Sequence, residues 1–401
     1  MPGPPLSQRT AAAAGQSLAT LQREHQSLQR WLLHDAYPLW AAQGYDRRRG
    51  GFQESLTSAG PVVDQPRRAR VQARQIYAFA RAASFGWQPE QARRLVTDGL
   101  QYFLAHYRRS DGLFRTLVAA DGQALDERAW LYDQAFVLLA LAESEKLLRT
   151  GPELIDAAQS LRAALYQHLK LAGPGFCSGV PETSPLLSNP HMHLLEAALS
   201  WSAVDADPAW RALADEIVAL ALSRFLDAGS GALREQFDEQ WAPAAGIAGR
   251  IVEPGHQFEW AWLLLTWGGA GTAAAYPAAV RLALIGETHG IRGGVAVNAL
   301  LADFSVHDAE ARLWPQTERL KAAALLGAMT REPRYWSLAV QAAQGLRRYL
   351  ATDVPGLWYD RLQADGQFVQ QSAPASSFYH IVCAIGVLGD ALEQLSSAPG
   401  A

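Results

Sequence analysis

Apolar residues recur at helical spacing in twelve segments of the chain, and each segment is bounded by glycine, proline or polar residues. The segments cover residues 14–43, 67–86, 89–108, 129–149, 152–170, 189–203, 207–226, 253–268, 273–289, 314–329, 332–351 and 375–396. Tight turns, such as those at 86–89 and 150–152, alternate with long loops between these segments. The pattern predicts six helical hairpins.

The long loops share a short segment that begins with glycine. The repeated glycines are Gly51, Gly112, Gly175, Gly231, Gly294 and Gly356. They are spaced by roughly sixty residues, which is the kind of period that marks a repeat architecture. In several loops a strand-like run and a turn follow, as in residues 113–118 before Asp121 and Gly122. We therefore expect small β-hairpins in the long loops, all at one end of the molecule.

Six helical hairpins with exposed apolar faces are stable only when neighbouring hairpins stack and the array closes. The sequence therefore predicts an all-α fold, an (α/α)6 barrel of twelve helices. We expect one catalytic domain over residues 14–396, a flexible N-terminal tail over 1–13 and a C-terminal tail over 397–401. Helices that follow the long loops would form the inner ring.

Each predicted inner helix carries an ionisable residue in its first two turns, at a similar distance from the preceding loop glycine. These residues are Arg74, Asp133, His193, His256, Glu318 and His380. Helix capping offers an explanation for Asp133 and Glu318 that needs no functional role. Histidine and arginine are not capping residues, so the pattern predicts that the six side chains converge on one cavity.

Residues 253–262 show this arrangement most clearly. Pro254 suits the first position of a helix, so we expect the helix to begin near Glu253. His256 and Glu259 then lie on one face of its first two turns. The partial positive charge of the helix N-terminus disfavours imidazolium, which makes His256 a candidate general base near neutral pH.

Composition narrows the functional class only slightly. A formal net charge of -4 gives no electrostatic reason to expect a nucleic acid or an anionic membrane as partner. We find no apolar run of the roughly 20 residues that a membrane span requires, and the N-terminus does not resemble a signal peptide. The chain has 2 cysteines, which fits a cytoplasmic enzyme or binding protein.

Five blocks of the chain resemble the N-acylglucosamine 2-epimerase superfamily, which includes D-mannose isomerases and cellobiose 2-epimerases. The blocks are residues 74–79, 189–196, 254–260, 314–318 and 376–380. Together they span nearly the whole chain, and the Phe-Glu-Trp sequence that ends the third block looks most like the D-mannose isomerase branch. The resemblance implies the same (α/α)6 fold.

The resemblance also implies roles for individual residues. His256 and His380 match the acid/base catalysts of the family. The positions that hold the sugar or orient those histidines match Arg74, Asn189, His193, Glu259, Trp314 and Glu318, and we add Arg250 and Tyr77 as candidate substrate contacts. The implied reaction converts D-mannose to D-fructose through a cis-enediol, without metal or cofactor, in a monomer or homodimer. Return of the proton to C2 instead of C1 would make the enzyme a 2-epimerase.

Three alternatives stay open at this point. A metal-dependent isomerase could use His191 and His193 with His256, His380 and a carboxylate, although residues two apart on a helix face away from each other. A glycoside hydrolase could use a carboxylate pair drawn from Asp133, Glu259 and Glu318. A protein that only binds sugar would need no more than the aromatic residues near these positions.

Overall fold

A computed structural model gives the positions of residues 6–181 and 184–396. The described residues form thirteen α-helices. They are α1 (Leu6–Trp31), α2 (Tyr37–Gln43), α3 (Ala69–Ala82), α4 (Pro89–Tyr107), α5 (Leu131–Leu148), α6 (Pro152–His168), α7 (Ser188–Ser202), α8 (Ala209–Leu220), α9 (Pro254–Gly268), α10 (Ala275–Gly290), α11 (Trp314–Thr330), α12 (Pro333–Leu350) and α13 (Ser376–Ser396).

All twelve predicted helical segments are helical in the structure. A π-helical turn at Leu32–Ala36 divides the first segment into α1 and α2, and another at Ala221–Phe225 ends the seventh. Helix α1 begins at Leu6, ahead of the predicted start at residue 14. The C-terminal tail predicted at 397–401 lies outside the described residues, as do residues 1–5.

The helices form two compact units. The first unit comprises Ala36–Ile251 and Gln371–Tyr379, and the second comprises Val252–Gln370 with the described residues up to Asp35 and from His380 onward. In the first unit α3 packs on α5 and α5 packs on α7, while α4, α6 and α8 each pack on the helix that precedes them. In the second unit α9 packs on α10 and α11, and α12 packs on α11 and α1.

Burial distinguishes two classes of helix. Helix α5 is buried along almost its whole length, and α9 is buried from Pro254 to Leu265. Such helices are buried on all sides, as expected for the inner layer of a helical array. Helix α4 buries only one stripe, which includes Leu95 and Phe103, and is otherwise exposed. The helices that follow the long loops are therefore the inner ones, as predicted.

Short strands occupy the long loops. They are β1 (Ser55–Thr57), β2 (Gly60–Pro61), β3 (Arg67–Arg68), β4 (Leu117–Val118), β5 (Ala124–Asp126), β6 (Ala129–Trp130), β7 (Gly179–Val180), β8 (Leu186–Leu187), β9 (Gln236–Phe237), β10 (Ile251–Val252), β11 (Ile291–Arg292), β12 (Val295–Ala296), β13 (Ala299–Leu301), β14 (Val306–Asp308), β15 (Ala311–Arg312), β16 (Arg361–Leu362) and β17 (Ala373–Pro374).

The loops form the predicted hairpins and also pair with one another. Strands β4 and β5 make the hairpin that the sequence predicts around Gly122. The strand just before an inner helix pairs antiparallel with a strand of another loop, as β3 does with β4, β6 with β7, and β8 with β9. The sequence pattern did not reveal this second kind of pairing, because each strand is only two residues long.

The six repeated glycines share one backbone conformation. Their φ angles are +73° (Gly51), +86° (Gly112), +83° (Gly175), +73° (Gly231), +83° (Gly294) and +91° (Gly356). Glycine adopts this region without the steric cost that a side chain adds. The residue period read from the sequence therefore corresponds to a repeated turn.

Three loops are fastened to their inner helix by a glutamine side chain. Gln134 accepts a hydrogen bond from the Phe114 N–H at 2.8 Å and donates one to the Phe114 carbonyl at 2.9 Å. Gln72 does the same at Phe52, and Gln316 at Ala296. We call this two-bond contact the amide clamp. It satisfies buried backbone groups that would otherwise be left without partners.

His191 replaces the glutamine in the third repeat. Its Nε2 accepts a hydrogen bond from the Phe176 N–H at 3.0 Å, and its Nδ1 lies 2.9 Å from the Leu187 carbonyl, to which it donates. Both ring nitrogens are used, so His191 is a structural residue and is not a ligand in the metal site considered above. Burial lowers the pKa of His191 from 6.5 to about 4.

We expect this histidine to make the stability of the protein depend on pH. Between pH 6.5 and about 4 the unfolded chain binds a proton at residue 191 that the folded protein does not bind. The free energy of unfolding should therefore fall as the pH falls through this range, by about 3 kcal/mol. Urea unfolding at several pH values should show a shallower pH dependence for His191→Gln, which introduces the side-chain amide that three other repeats carry at this position. His307→Gln, at an exposed position, is the control. An unchanged pH dependence in His191→Gln would contradict the expectation.

Candidate active site

Helix α9 begins as the sequence predicts. Glu253 is its N-cap residue in extended conformation, and Pro254 occupies the first helical turn. His256 follows in that turn with 5% of its surface exposed, and its Nδ1 lies 3.7 Å from Glu253 Oε2. The imidazole is therefore held near a carboxylate at the start of a helix.

The indole of Trp314 lies against two imidazoles of the second unit. Trp314 is the first residue of α11, and its ring centroid is 5.0 Å from that of His256 and 5.8 Å from that of His380. His380 is 5% exposed, whereas Trp314 is only half-buried. The two candidate acid/base residues thus share one aromatic neighbour, which could also provide an apolar surface for a sugar ring.

Two buried charged residues, Glu318 and Lys321, form a chain of contacts that begins at His380. Glu318 Oε1 is 2.9 Å from His380 Nδ1, and Glu318 Oε2 is 2.6 Å from Lys321 Nζ. The side chains of Glu318 and Lys321 are both completely buried. A carboxylate that accepts a hydrogen bond from Nδ1–H leaves Nε2 of the imidazole with a lone pair, which is the form that a general base requires.

Glu259 joins this group from α9. One ligand atom each from Glu259, Glu318 and His380 lie within 4.8 Å of one another, a spacing that could hold a metal ion. The Lys321 ammonium already supplies a positive charge to Glu318 at 2.6 Å, and a second cation beside it would be repelled. The absence of a metal from this group of residues therefore stays a prediction.

Arg74 is enclosed by aromatic rings of the first unit. Its guanidinium carbon lies 4.1 Å from the ring centroid of Phe136 and 5.3 Å from that of Tyr379. It donates a hydrogen bond of 2.6 Å to the Tyr132 hydroxyl. Cation–π contacts of this kind fix the guanidinium in place, and its charge can stabilise a developing oxyanion.

His193 lies beside the same aromatic rings. Its ring is 4.4 Å from Phe136, and its Nδ1 is 3.3 Å from Glu196 Oε2. The Tyr379 hydroxyl donates a short hydrogen bond to that glutamate oxygen. Tyr77 contacts Tyr379, with ring centroids 4.9 Å apart. The structure therefore brings Arg74, Tyr77 and His193 together.

The other polar residues at helix starts have different surroundings. Asn189 is half-buried, and its Oδ1 has no hydrogen-bond partner in the described part of the chain. Arg250 ends a 3₁₀ turn and its side chain is exposed. Asp133 is completely buried 3.2 Å from Arg70, and burial raises the pKa of its carboxyl.

Capping does not account for Asp133 or Glu318. The N-cap residues of α5 and α11 are Trp130 and Leu313, and neither makes a side-chain capping hydrogen bond. Asp133 instead pairs with Arg70, and Glu318 contacts His380 and Lys321. The convergence of all six polar residues on one cavity stays a prediction.

Sequence reasoning assigned no role to three residues that shape these clusters, namely Lys321, Glu196 and Gly255. Lys321 follows Glu318 by three positions in an otherwise apolar stretch, and Glu196 follows His193 by the same interval. The i, i+3 spacing that singled out His256 and Glu259 was therefore a usable signal for both pairs. Tyr379 belongs to the block 376–380, and its position was compatible with either a core residue or a sugar contact.

The helical architecture matches solved structures over nearly its whole length. A cellobiose 2-epimerase from Spirochaeta thermophila DSM 6192 superposes with a TM-score of 0.83 at 22% identity, covering 94% of this chain and 99% of that chain. A D-mannose isomerase crystal structure gives a TM-score of 0.82 at 21% identity, covering 92% and 97%. The fold is thus of the predicted all-α, (α/α)6-barrel class.

Sequence comparison assigns the family. The model of the N-acylglucosamine 2-epimerase (GlcNAc 2-epimerase) family matches residues 50–384. A protein of Rhizobium meliloti (strain 1021) described as mannose-6-phosphate isomerase is 47% identical over 374 residues, which cover 91% of this chain and 96% of the relative. The chain belongs to the N-acylglucosamine 2-epimerase family and is an enzyme of that family.

Gly255 allows Trp314 to approach the start of α9. A Cβ atom at residue 255 would lie 2.4 Å from one carbon of the Trp314 ring and 3.1 Å from Pro315 Cβ. Gly255→Ala should therefore displace the indole from its place beside both imidazoles. We expect kcat/KM to fall about 10- to 100-fold, since small misplacements at a reacting centre have effects of this size. Steady-state kinetics would test this, with Gly271→Ala as the control because nothing lies within 4 Å of its Cβ position. An unchanged kcat/KM in Gly255→Ala would show that the position of the Trp314 indole does not affect the reaction.

Proposed function

We propose that the protein is an aldose–ketose isomerase that interconverts D-mannose and D-fructose, and related aldoses such as D-lyxose, by metal-free proton transfer. The observation that carries this proposal is the pair of buried imidazoles that both contact Trp314, one of them hydrogen-bonded to a carboxylate. Proton transfer at carbon requires a base whose pKa is near the working pH, and neutral imidazole meets that requirement.

In the proposed reaction His380 Nε2 removes the proton from C2 of the open-chain aldose, where the neighbouring carbonyl makes it acidic. The product is a cis-enediol, and His380 returns the proton to C1 to give the ketose. His256 assists ring opening and moves protons between the sugar oxygens. Glu318 orients His380, as the third member of a catalytic triad orients its histidine.

The family resemblance supports roles for the other candidate residues. We propose that Arg74 and His193 stabilise negative charge on the enediolate oxygen, which is often the largest catalytic effect. Glu259 and Trp314 would contact the sugar beside the imidazoles. Tyr77, Asn189 and Arg250 are proposed as further substrate contacts.

A 2-epimerase is the second candidate, because the family model that matches the chain is described as an epimerase. The two reactions share the enediol and differ only in the carbon and face to which the proton returns. A glycoside hydrolase is less well supported, because it needs a carboxylic acid free to protonate the leaving group, whereas both oxygens of Glu318 contact basic groups.

One experiment separates these reactions. The protein is incubated in D2O with mannose, glucose, fructose and, in view of the Rhizobium meliloti relative, mannose 6-phosphate. NMR then reads the products and the positions of deuterium. Label at C1 of fructose formed from mannose supports the isomerase, label at C2 of an epimer supports the epimerase, and no exchange with any sugar rejects both.

The same assay tests the proposed absence of a metal. We expect full activity after exhaustive treatment with a chelator, and a loss that added zinc or manganese restores would contradict it.

We further propose that the enzyme acts in the cytoplasm as a monomer or homodimer, with no nucleic acid or membrane partner. The segment Ser376–Leu395 has the length and hydropathy of a membrane span, but 67% of it is buried inside the protein, as in a core helix.

A further inference from the structure

Lys321 is a charged residue in a place where lysine is rarely found. Its side chain has no exposed surface, and it lies in the middle of the inner helix α11. Its Nζ is 2.6 Å from Glu318 Oε2, 3.6 Å from the ring centroid of Trp262 and 3.8 Å from Cys383 Sγ. A carboxylate, an indole face and a thiol thus take the place of water around the ammonium group.

Stability alone does not explain the ion pair between Lys321 and Glu318. Removing two opposite charges from water costs several kcal/mol per ion, and well-packed apolar residues often replace a buried pair without loss. The same helix contains a second buried pair, Arg319 with Glu287, on the side away from the imidazoles. Lys321 differs from Arg319 because its carboxylate partner also contacts a candidate catalytic histidine.

The two oxygens of Glu318 have different partners. Oε1 faces His380 Nδ1 and Oε2 faces Lys321 Nζ. Glu259 also lies close to Glu318 and His380. A second carboxylate this close repels the Glu318 carboxylate, and the adjacent Lys321 ammonium group offsets that repulsion.

We propose that Lys321 is a positioning residue, whose ion pair with Oε2 holds the Glu318 carboxylate with Oε1 facing His380, so that the imidazole proton stays on Nδ1 and Nε2 is free to accept the C2 proton. Without the positive charge of the ammonium group, the Glu318 carboxylate would no longer be held with Oε1 as the acceptor of the Nδ1–H bond. His380 would then carry its own proton on Nε2, which is the wrong tautomer for a base. The inference rests on the proposed function, because it assigns Lys321 to the same reaction.

Kinetics of charge-removing variants give the first test. Lys321→Met should lower kcat about 10²- to 10⁴-fold and leave KM nearly unchanged, since the base is lost while sugar contacts remain. Lys321→Gln should lose as much, because it retains a hydrogen-bond donor without the charge. Arg319→Met is the matched control, and it should lower stability with kcat unchanged. Wild-type kcat in folded Lys321→Gln would overturn the proposal, as would an equal loss of kcat in Arg319→Met.

The tautomer of His380 gives a second test that does not depend on turnover. Two-bond ¹H–¹⁵N correlation spectra of the ¹⁵N-labelled full-length chain, with His380 assigned by its absence in His380→Gln, report which ring nitrogen carries the proton. We expect the proton on Nδ1 in the wild type and on Nε2 in Lys321→Met. The same tautomer in both proteins would refute the role of Lys321. Absence of turnover in the wild type, together with the expected change of tautomer, would instead reject the proposed reaction.

Discussion

Replacing His380 by alanine is expected to abolish exchange of the C2 proton of the aldose into D2O, while the protein stays folded. The imidazole is the base in the proposed reaction, and general base catalysis contributes about 10²- to 10⁴-fold to the rate. His380 is held by Glu318 at 2.9 Å and by contact with Trp314, so its replacement removes the proposed base from this position.

The measurement is the rate of deuterium incorporation by NMR, with circular dichroism and thermal unfolding as checks on folding. His307→Ala, at an exposed position in the same unit, is the matched control and should exchange at the wild-type rate. Exchange at the wild-type rate in His380→Ala would reject the assignment of the base. If His256→Ala, and not His380→Ala, lost exchange, the roles of the two histidines would have to be reversed.

Glu318→Gln is expected to damage both stability and activity. The glutamine leaves the Lys321 ammonium buried without its carboxylate partner, and breaking a buried pair in this way costs about 3–5 kcal/mol. The kcat should fall about 10²- to 10⁴-fold, because a neutral amide can no longer hold His380 in the tautomer of a base.

A double variant separates the two effects. Glu318→Gln combined with Lys321→Met removes both charges and should recover most of the lost free energy of unfolding, but none of the activity. Urea unfolding and steady-state kinetics on the two variants give both quantities. Glu287→Gln, which breaks the Arg319 pair, should destabilise the protein without lowering kcat. A double variant as active as the wild type would show that Glu318 has no role in the reaction.

The helical architecture could be read from the sequence because it depends on local patterns. Apolar spacing identifies each helix, and the positive φ at glycines such as Gly112 and Gly294 explains why the loop period was visible. The pairing between loops could not be read in the same way. Strands of two residues, such as β6 and β7, carry no alternating pattern, and their partners lie about fifty residues apart.

Only part of the candidate site could be predicted from the sequence, because some of its contacts also join residues that are far apart in the chain. His256 and Trp314 drew attention because polar or aromatic residues recur at the starts of the inner helices. The hydrogen bond between Glu318 and His380 joins residues on different helices, so local spacing could suggest a contact but not specify it. Lys321 was missed because a lone lysine in a helix usually faces solvent, and only the structure shows it completely buried.

The amide clamp determines which loop residues can change while the helices stay in place. Each clamp ties a loop to its helix through one side chain, and the third repeat achieves the same attachment with a shorter connection and a histidine. Residues beyond the attachment point can therefore be inserted, deleted or exchanged without disturbing the helical scaffold. Loop segments could in this way be replaced one repeat at a time, while the helices that carry the proposed catalytic residues keep their register.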